Sequence, residues 1–199
     1  LPIPRWQGLR LVAADGSAVR LTLMKDGVRS IVQGVAFGLY LPGIELFLDF
    51  RLLEPLCDER QMLFEAIDNL RADDVLLLDR GFPCRWLVSA LTARGIPFCI
   101  RCDLSRGFKA VREFMRSGQS ETRVVLRAPD ARDAADYECP ATPTTVRLVR
   151  VARPTGRVHV VMTSLFDPVA FPVAAFADLG RLAVRELDRD AVLRVVVED

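Results

Sequence analysis

The chain has 199 residues, 51% apolar and 27% charged, enough apolar material for one large packed domain or two small ones. Its 27 basic and 26 acidic residues leave a net charge of +1, which argues against a histone-like or tail-type nucleic-acid binder but permits a local basic groove. His159 is the sole histidine, so His-based zinc sites and a Ser-His-Asp triad are disfavoured.

Of the basic residues only Lys25 and Lys109 are lysines, an arginine excess expected of a GC-rich genome. No apolar run reaches the ~18 residues of a membrane span, and residues 1–10 lack the apolar core of a signal peptide. The five cysteines are an odd number in a chain without a signal, so a reduced, cytoplasmic protein is expected. Cys99 and Cys102 have C-x-x-C spacing, but within a strand they face opposite sides and act as core residues.

In chain order, residues 8–15 alternate as a strand, Asp15-Gly16-Ser17 signals a turn, and residues 19–24 form a second strand. Residues 34–40 and 45–52 predict two further strands around a turn at Leu41-Pro42-Gly43. Residues 58–70 predict a helix, with Asp58 as N-cap and Gln61 completing a near capping box. The run Val75-Leu76-Leu77-Leu78 suits a strand buried on both faces, with Asp73-Asp74 before it as a polar turn. A helix over residues 84–94 follows, ended by Gly95, and then a strand over residues 96–102.

Beyond residue 105 the pattern gives a short helix (108–115), a loop (128–143) and strands near 123–127, 144–151 and 158–163. A last amphipathic helix is expected over residues 173–187, interrupted by Gly180. The implied organisation is a first core segment (1–104), a β-rich insertion (105–163) and a final core segment (164–199).

Asp15 and Asp79 each end an apolar strand before a glycine-containing turn, where open α/β sheets bind ligands. Two neighbouring carboxylates repel each other, and a divalent cation removes that repulsion. Mg²⁺ or Mn²⁺ held there would serve phosphodiester chemistry. The competing reading is that both aspartates merely cap turns. Arg80, Arg85 and Arg101, with Arg106, Arg112 and Arg116, are candidates for DNA-phosphate contacts. Asp103 is a candidate supporting carboxylate.

Four segments together resemble the DDE transposases of the fourth bacterial insertion-sequence family. They are Leu11-Val12-Ala13-Ala14-Asp15-Gly16-Ser17, Glu59-Arg60-Gln61, Leu76-Leu77-Leu78-Asp79-Arg80-Gly81-Phe82, and Met162-Thr163-Ser164-Leu165 with Asp167-Pro168. The resemblance covers residues 8 to about 179. It implies an α/β, ribonuclease-H-like core: a mixed five-stranded sheet flanked by helices, with a β-rich insertion before the last helix. It further implies metal-dependent cleavage and strand transfer at transposon ends, with Asp15 and Asp79 as metal-binding carboxylates. Double-stranded DNA would be the partner, a homodimer is compatible, and no membrane is involved.

The family's third carboxylate falls at position 187, which is Leu187 here; Gly180 and Ala183 replace its Tyr and Arg, and Arg194 stands for its Lys. Glu186 is the nearest substitute, rotated by about 100° on a helix. The expectation is therefore an impaired core truncated at both ends, its tail from Gly180 out of frame. The alternatives are a non-catalytic DNA-binding or dimerising remnant, and a different ribonuclease-H-like nuclease that uses Glu186 or Asp188.

Overall fold

In the computed structural model, the described residues are 3–25, 28–44, 46–54, 57–104, 107–152, 156 and 158–179. The strands are β1 (Arg5–Trp6), β2 (Leu9–Lys25), β3 (Val28–Leu41), β4 (Leu46–Leu53), β5 (Asp74–Leu78), β6 (Phe98–Cys102), β7 (Glu121–Leu126), β8 (Thr144–Ala152) and β9 (Val158–Thr163). The helices are α1 (Glu59–Ala66), continued by a 3-10 turn (Ile67–Asn69), α2 (Arg85–Ala93), α3 (Lys109–Ser117) and α4 (Ala131–Asp136). Residues 175–179 are also helical.

All nine strands join one mixed sheet in the order β4-β3-β2-β5-β6-β9-β8-β7, with β1 paired to β2. The expected α/β class holds, but the expected five strands are nine among the described residues. The pairs β2–β5 and β5–β6 are parallel; the others are antiparallel. The segment from β7 to β9 extends the same hydrogen-bonded sheet, because β9 pairs with β6.

The period-2 side-chain alternation sorts the central strands onto two cores. Val12, Ala14, Leu76, Leu78, Ile100 and Cys102 face the larger one, where Leu63 of α1, Leu87 of α2 and Phe114 of α3 cover them. Leu11, Ala13, Val75, Leu77 and Cys99 face the other, covered by Trp6, Phe176 and Leu179. Cys99 and Cys102 thus lie on opposite faces, as their spacing predicts. Burial raises both thiols to about 12, so neither is a reactive thiolate at neutral pH. All five cysteines are free.

Three local expectations are corrected. Residues 15–17 do not turn: Asp15, Gly16 and Ser17 pair with Gly38, Phe37 and Ala36 inside an unbroken β2–β3 ladder. The ladder satisfies the backbone groups that a turn would expose, and this outweighs the local Asp-Gly-Ser signal. Residues 128–143 contain α4, anchored where Tyr137 stacks on Trp86 of α2 at 3.5 Å between ring centroids. Asp74 is a fully buried strand residue, held by Arg10 at 2.5 and 2.7 Å, not part of a polar turn.

The end of the chain bears on one candidate. Glu186, like Gly180, Ala183, Leu187, Asp188 and Arg194, lies outside the described residues.

Candidate functional site: a carboxylate cleft

The cleft forms at the carboxyl end of β5, where its pairing with β2 stops while β2 itself runs on along β3. These strands are parallel, with Ala14 opposite Leu78, so the next residue of each chain, Asp15 or Asp79, lies at the same level. On the far side of β5, Leu78 lies opposite Ile100, which brings Arg101 of β6 beside Asp79. Sheet register therefore sets two acids and one arginine side by side across three strands.

Glu59 enters from α1. Asp58 caps that helix by accepting the Arg60 backbone N–H at 2.9 Å, a contact worth about 1 kcal/mol. Arg60 then ties the helix to the turn after β5, donating from Nε and Nη2 to the Gly81 carbonyl at 3.1 and 2.9 Å. Glu59 is carried over Gly16, close enough that a Cβ there would lie 2.5 Å from Glu59 Cδ. Its Oε2 lies 3.9 Å from the corresponding position on Gly81. A glycine at 16 is therefore what admits the glutamate between β2 and the Asp79 turn.

Asp15, Glu59 and Asp79 line one cleft of about 610 Å³ with Arg80 and Asp103. Burial pushes the Asp15 carboxyl above its ordinary range; a hydrogen bond from the Gly16 N–H opposes this and the charge of Asp79 adds to it. Burial also raises Glu59, with further upward contributions from Asp15 and Asp58, partly countered by Arg60. A cation would relieve this mutual repulsion.

Among the described residues, no group of three or more Asp, Glu, His or Cys stands where it could hold a metal ion. Asp79 instead accepts from Arg101 Nε at 2.6 Å, and its Oδ1 also takes the Arg80 backbone N–H. The donor set itself, half-buried carboxylates on an open cleft, suits a hard divalent cation that keeps several waters.

The other candidates are dispersed. Arg80 is exposed on the cleft rim. Arg85 is tethered to Asp130 at 3.5 Å and to the Ala128 carbonyl at 3.3 Å. Arg101 pairs with Asp79 at 2.6 Å. Arg112 bonds the Gly107 carbonyl, Arg116 lies in the last turn of α3, and Arg106 lies outside the described residues. His159 sits in β9 opposite Val151. Asp103 does line the cleft.

Sequence reasoning quoted Glu59 within a motif but did not place it in the site. The available signal was its position in the first helical turn, directly after the capping Asp58.

No helix among the described residues is long and apolar enough to cross a membrane. No protein-family model matches the chain, and no curated protein matches it. Among solved structures, the NurA nuclease from Sulfolobus solfataricus matches with a TM-score of 0.39 and 11% identity, over 85% of this chain and 73% of that one. The expected membership of the fourth insertion-sequence transposase family is therefore corrected: no family model and no curated relative supports it. The four motifs that suggested it are short, and the first does not end its strand: Asp15 and Gly16 are paired within β2–β3.

Proposed function

We propose that the chain is a metal-dependent phosphodiesterase acting on DNA, with Asp15, Glu59 and Asp79 as its working carboxylates. The observation that carries this reading is the convergence of three acids from three separate elements on one cleft. Burial and mutual repulsion destabilise the charged forms of Asp15 and Glu59. Maintaining such a cluster costs stability, and a bound cation offsets that cost.

A ribonuclease-H-like core is part of the proposal. It is supported by the order β4-β3-β2-β5-β6, with the first three strands antiparallel and the last two parallel additions. α1 and α2 cover one face of that sheet and the helical residues 175–179 cover the other.

Asp15 and Asp79 would hold Mg²⁺ or Mn²⁺, with Glu59 as the third carboxylate. The ion, when bound, supplies an activated water and neutralises charge on the scissile phosphate. Asp15, within β2, and Asp79, directly after β5, would orient this chemistry from the sheet. Glu59, whose proton is held more tightly than usual, is placed to accept a proton from the attacking water. Arg80, exposed on the rim, contacts the phosphate backbone.

The test is cleavage of labelled DNA oligonucleotides by the purified chain with Mg²⁺, with Mn²⁺ and with chelator. Metal-dependent cleavage that disappears in Asp79→Asn is the expected result. Absence of cleavage together with absence of any metal-induced rise in melting temperature would sink the proposal.

A further inference from the structure

The carboxylate cleft continues beyond the active carboxylates. Arg80, Gly81 and Asp103 line both it and a passage of about 260 Å³. Pro83, Gly107 and Phe108 then line both that passage and a second cleft of about 550 Å³. One groove thus runs from the carboxylates, between the turn after β5 and the start of α3, to the end of β7.

Its lining changes character along the way. The passage and the second cleft carry five cations, Arg60, Arg80, Arg85, Lys109 and Arg127, against the carboxylates Asp103 and Glu113. Arg80 and Arg127 are exposed; the Lys109 side chain is 81% exposed and pairs with Glu113 at 3.5 Å, while Arg60 pairs with Asp58 and Arg85 with Asp130, each at 3.5 Å. Apolar surface is interleaved: Phe108 lies at the junction, and Val125 is 65% exposed in the far cleft. The bank is fixed by Arg112, which bonds the Gly107 carbonyl beside Phe108. Arg60 fixes the opposite bank through Gly81.

We infer that this groove binds a single polynucleotide strand, the flank of the strand that enters the carboxylate cleft. The reasoning is chemical. A duplex presents phosphates outward and hides its base faces in the stack, so it offers no open base face to the half-buried Phe108 or the exposed Val125. A single strand offers both phosphates for the cations and open base faces for Phe108. The alternation of cations with apolar surface matches that ligand. The inference rests on the proposed phosphodiesterase reading only for the strand's destination.

The experiment measures binding of a fluorescent oligothymidylate and of a short duplex, in chelator, across a salt series. Wild-type protein is expected to bind the single strand more tightly than the duplex, with a steep salt dependence. Lys109→Gln/Arg127→Gln removes two exposed cations, and is expected to weaken single-strand binding by about tenfold and to shallow the log–log salt slope by about 1.4. Phe108→Leu keeps an apolar side chain but removes the ring, and is expected to weaken single-strand binding severalfold with the slope unchanged. Thermal melting of each variant checks that it is folded. Wild-type affinity and slope in the folded double variant overturn the inference, and so does tighter binding of the duplex. Because chelator removes catalysis, and Asp79→Asn is expected to bind the strand whether or not the wild type cuts DNA, the two readings fail separately.

Discussion

Arg101 Nε lies 2.6 Å from Asp79 Oδ1, with both side chains about three-quarters buried. The pair arises from register, since β6 runs parallel to β5 and places the residue after Ile100 beside the residue after Leu78. It sets a fixed positive charge on the same carboxylate that the proposed cation needs. Arg101 and the metal therefore compete for Asp79, while Arg101 also holds that carboxylate in place. Arg101→Gln is expected to tighten Mn²⁺ binding by about tenfold, as removal of a like charge at close range implies. The same change should lower the maximal cleavage rate, because Asp79 loses its orienting partner. Mn²⁺ titration followed by electron paramagnetic resonance checks the first effect. Unchanged or weaker Mn²⁺ affinity would contradict the competition.

The raised carboxyls of Asp15 and Glu59 give a pH signature. Burial dominates both shifts. The folded protein retains these protons at pH values where the unfolded chain has released them. Their contribution to stability is thus present below the ordinary carboxylate range and is lost as pH rises through their native values. Without metal, this part of the melting temperature should decline with rising pH, and Asp15→Asn should flatten the decline. Divalent metal should reverse it; at about one hundred times its dissociation constant a ligand adds about 2.7 kcal/mol. Differential scanning calorimetry across pH, with and without Mg²⁺, makes the comparison. An equal metal-induced shift in wild type and Asp15→Asn would refute the role of Asp15.

How much of this was legible in the sequence depends on the range of the interactions involved. The buried strand over Val75–Leu78 and the helix after Cys84 follow from local periodicity, and so does the place of Asp79 just after that strand. The continuation of β2 through Gly16 was not legible, because it depends on ladder partners in β3 about twenty residues away. Glu59 was missed for a related reason. Nothing local states that its side chain crosses to Gly16 of another element. Asp74 carried a misleading signal: two consecutive aspartates suggest solvent, and its burial depends on Arg10 from another strand together with the Arg71 backbone N–H. The expected family followed from four short motifs whose local patterns do not determine lineage, and no family model or curated relative supports it.

The Arg10–Asp74 pair predicts an asymmetric stability result. Arg10 is 3% exposed and Asp74 is fully buried, with Asp74 also accepting the Arg71 backbone N–H at 2.7 Å. Arg10→Met leaves a buried carboxylate without its cation, at an expected cost of about 3–5 kcal/mol. Arg10→Met combined with Asp74→Asn removes the charge and should recover part of that loss. Urea denaturation measures both. If the single variant loses less than about 1 kcal/mol, the pair is not the anchor of the β2–β5 edge that its geometry describes.

Gly16→Ala separates site geometry from stability most directly. An added Cβ would fall 2.5 Å from both Glu59 Cγ and Cδ and 2.8 Å from Oε1. These atoms belong to the outer part of a flexible side chain, so the clash is relieved by moving the glutamate rather than the strand. Gly16 pairs with Phe37 within β2–β3, where alanine is no worse a strand residue than glycine. Stability should therefore change by no more than about 1 kcal/mol. Cleavage should nevertheless fall by about 10²-fold, because the carboxylate is displaced by an ångström or more from Asp15 and Asp79. Glu59→Gln should produce a comparable loss with the backbone untouched, and the double variant should be little worse than either alone. Single-turnover cleavage rates of the three proteins, beside their urea midpoints, decide the matter. Full activity in folded Gly16→Ala would remove Glu59 from the working site.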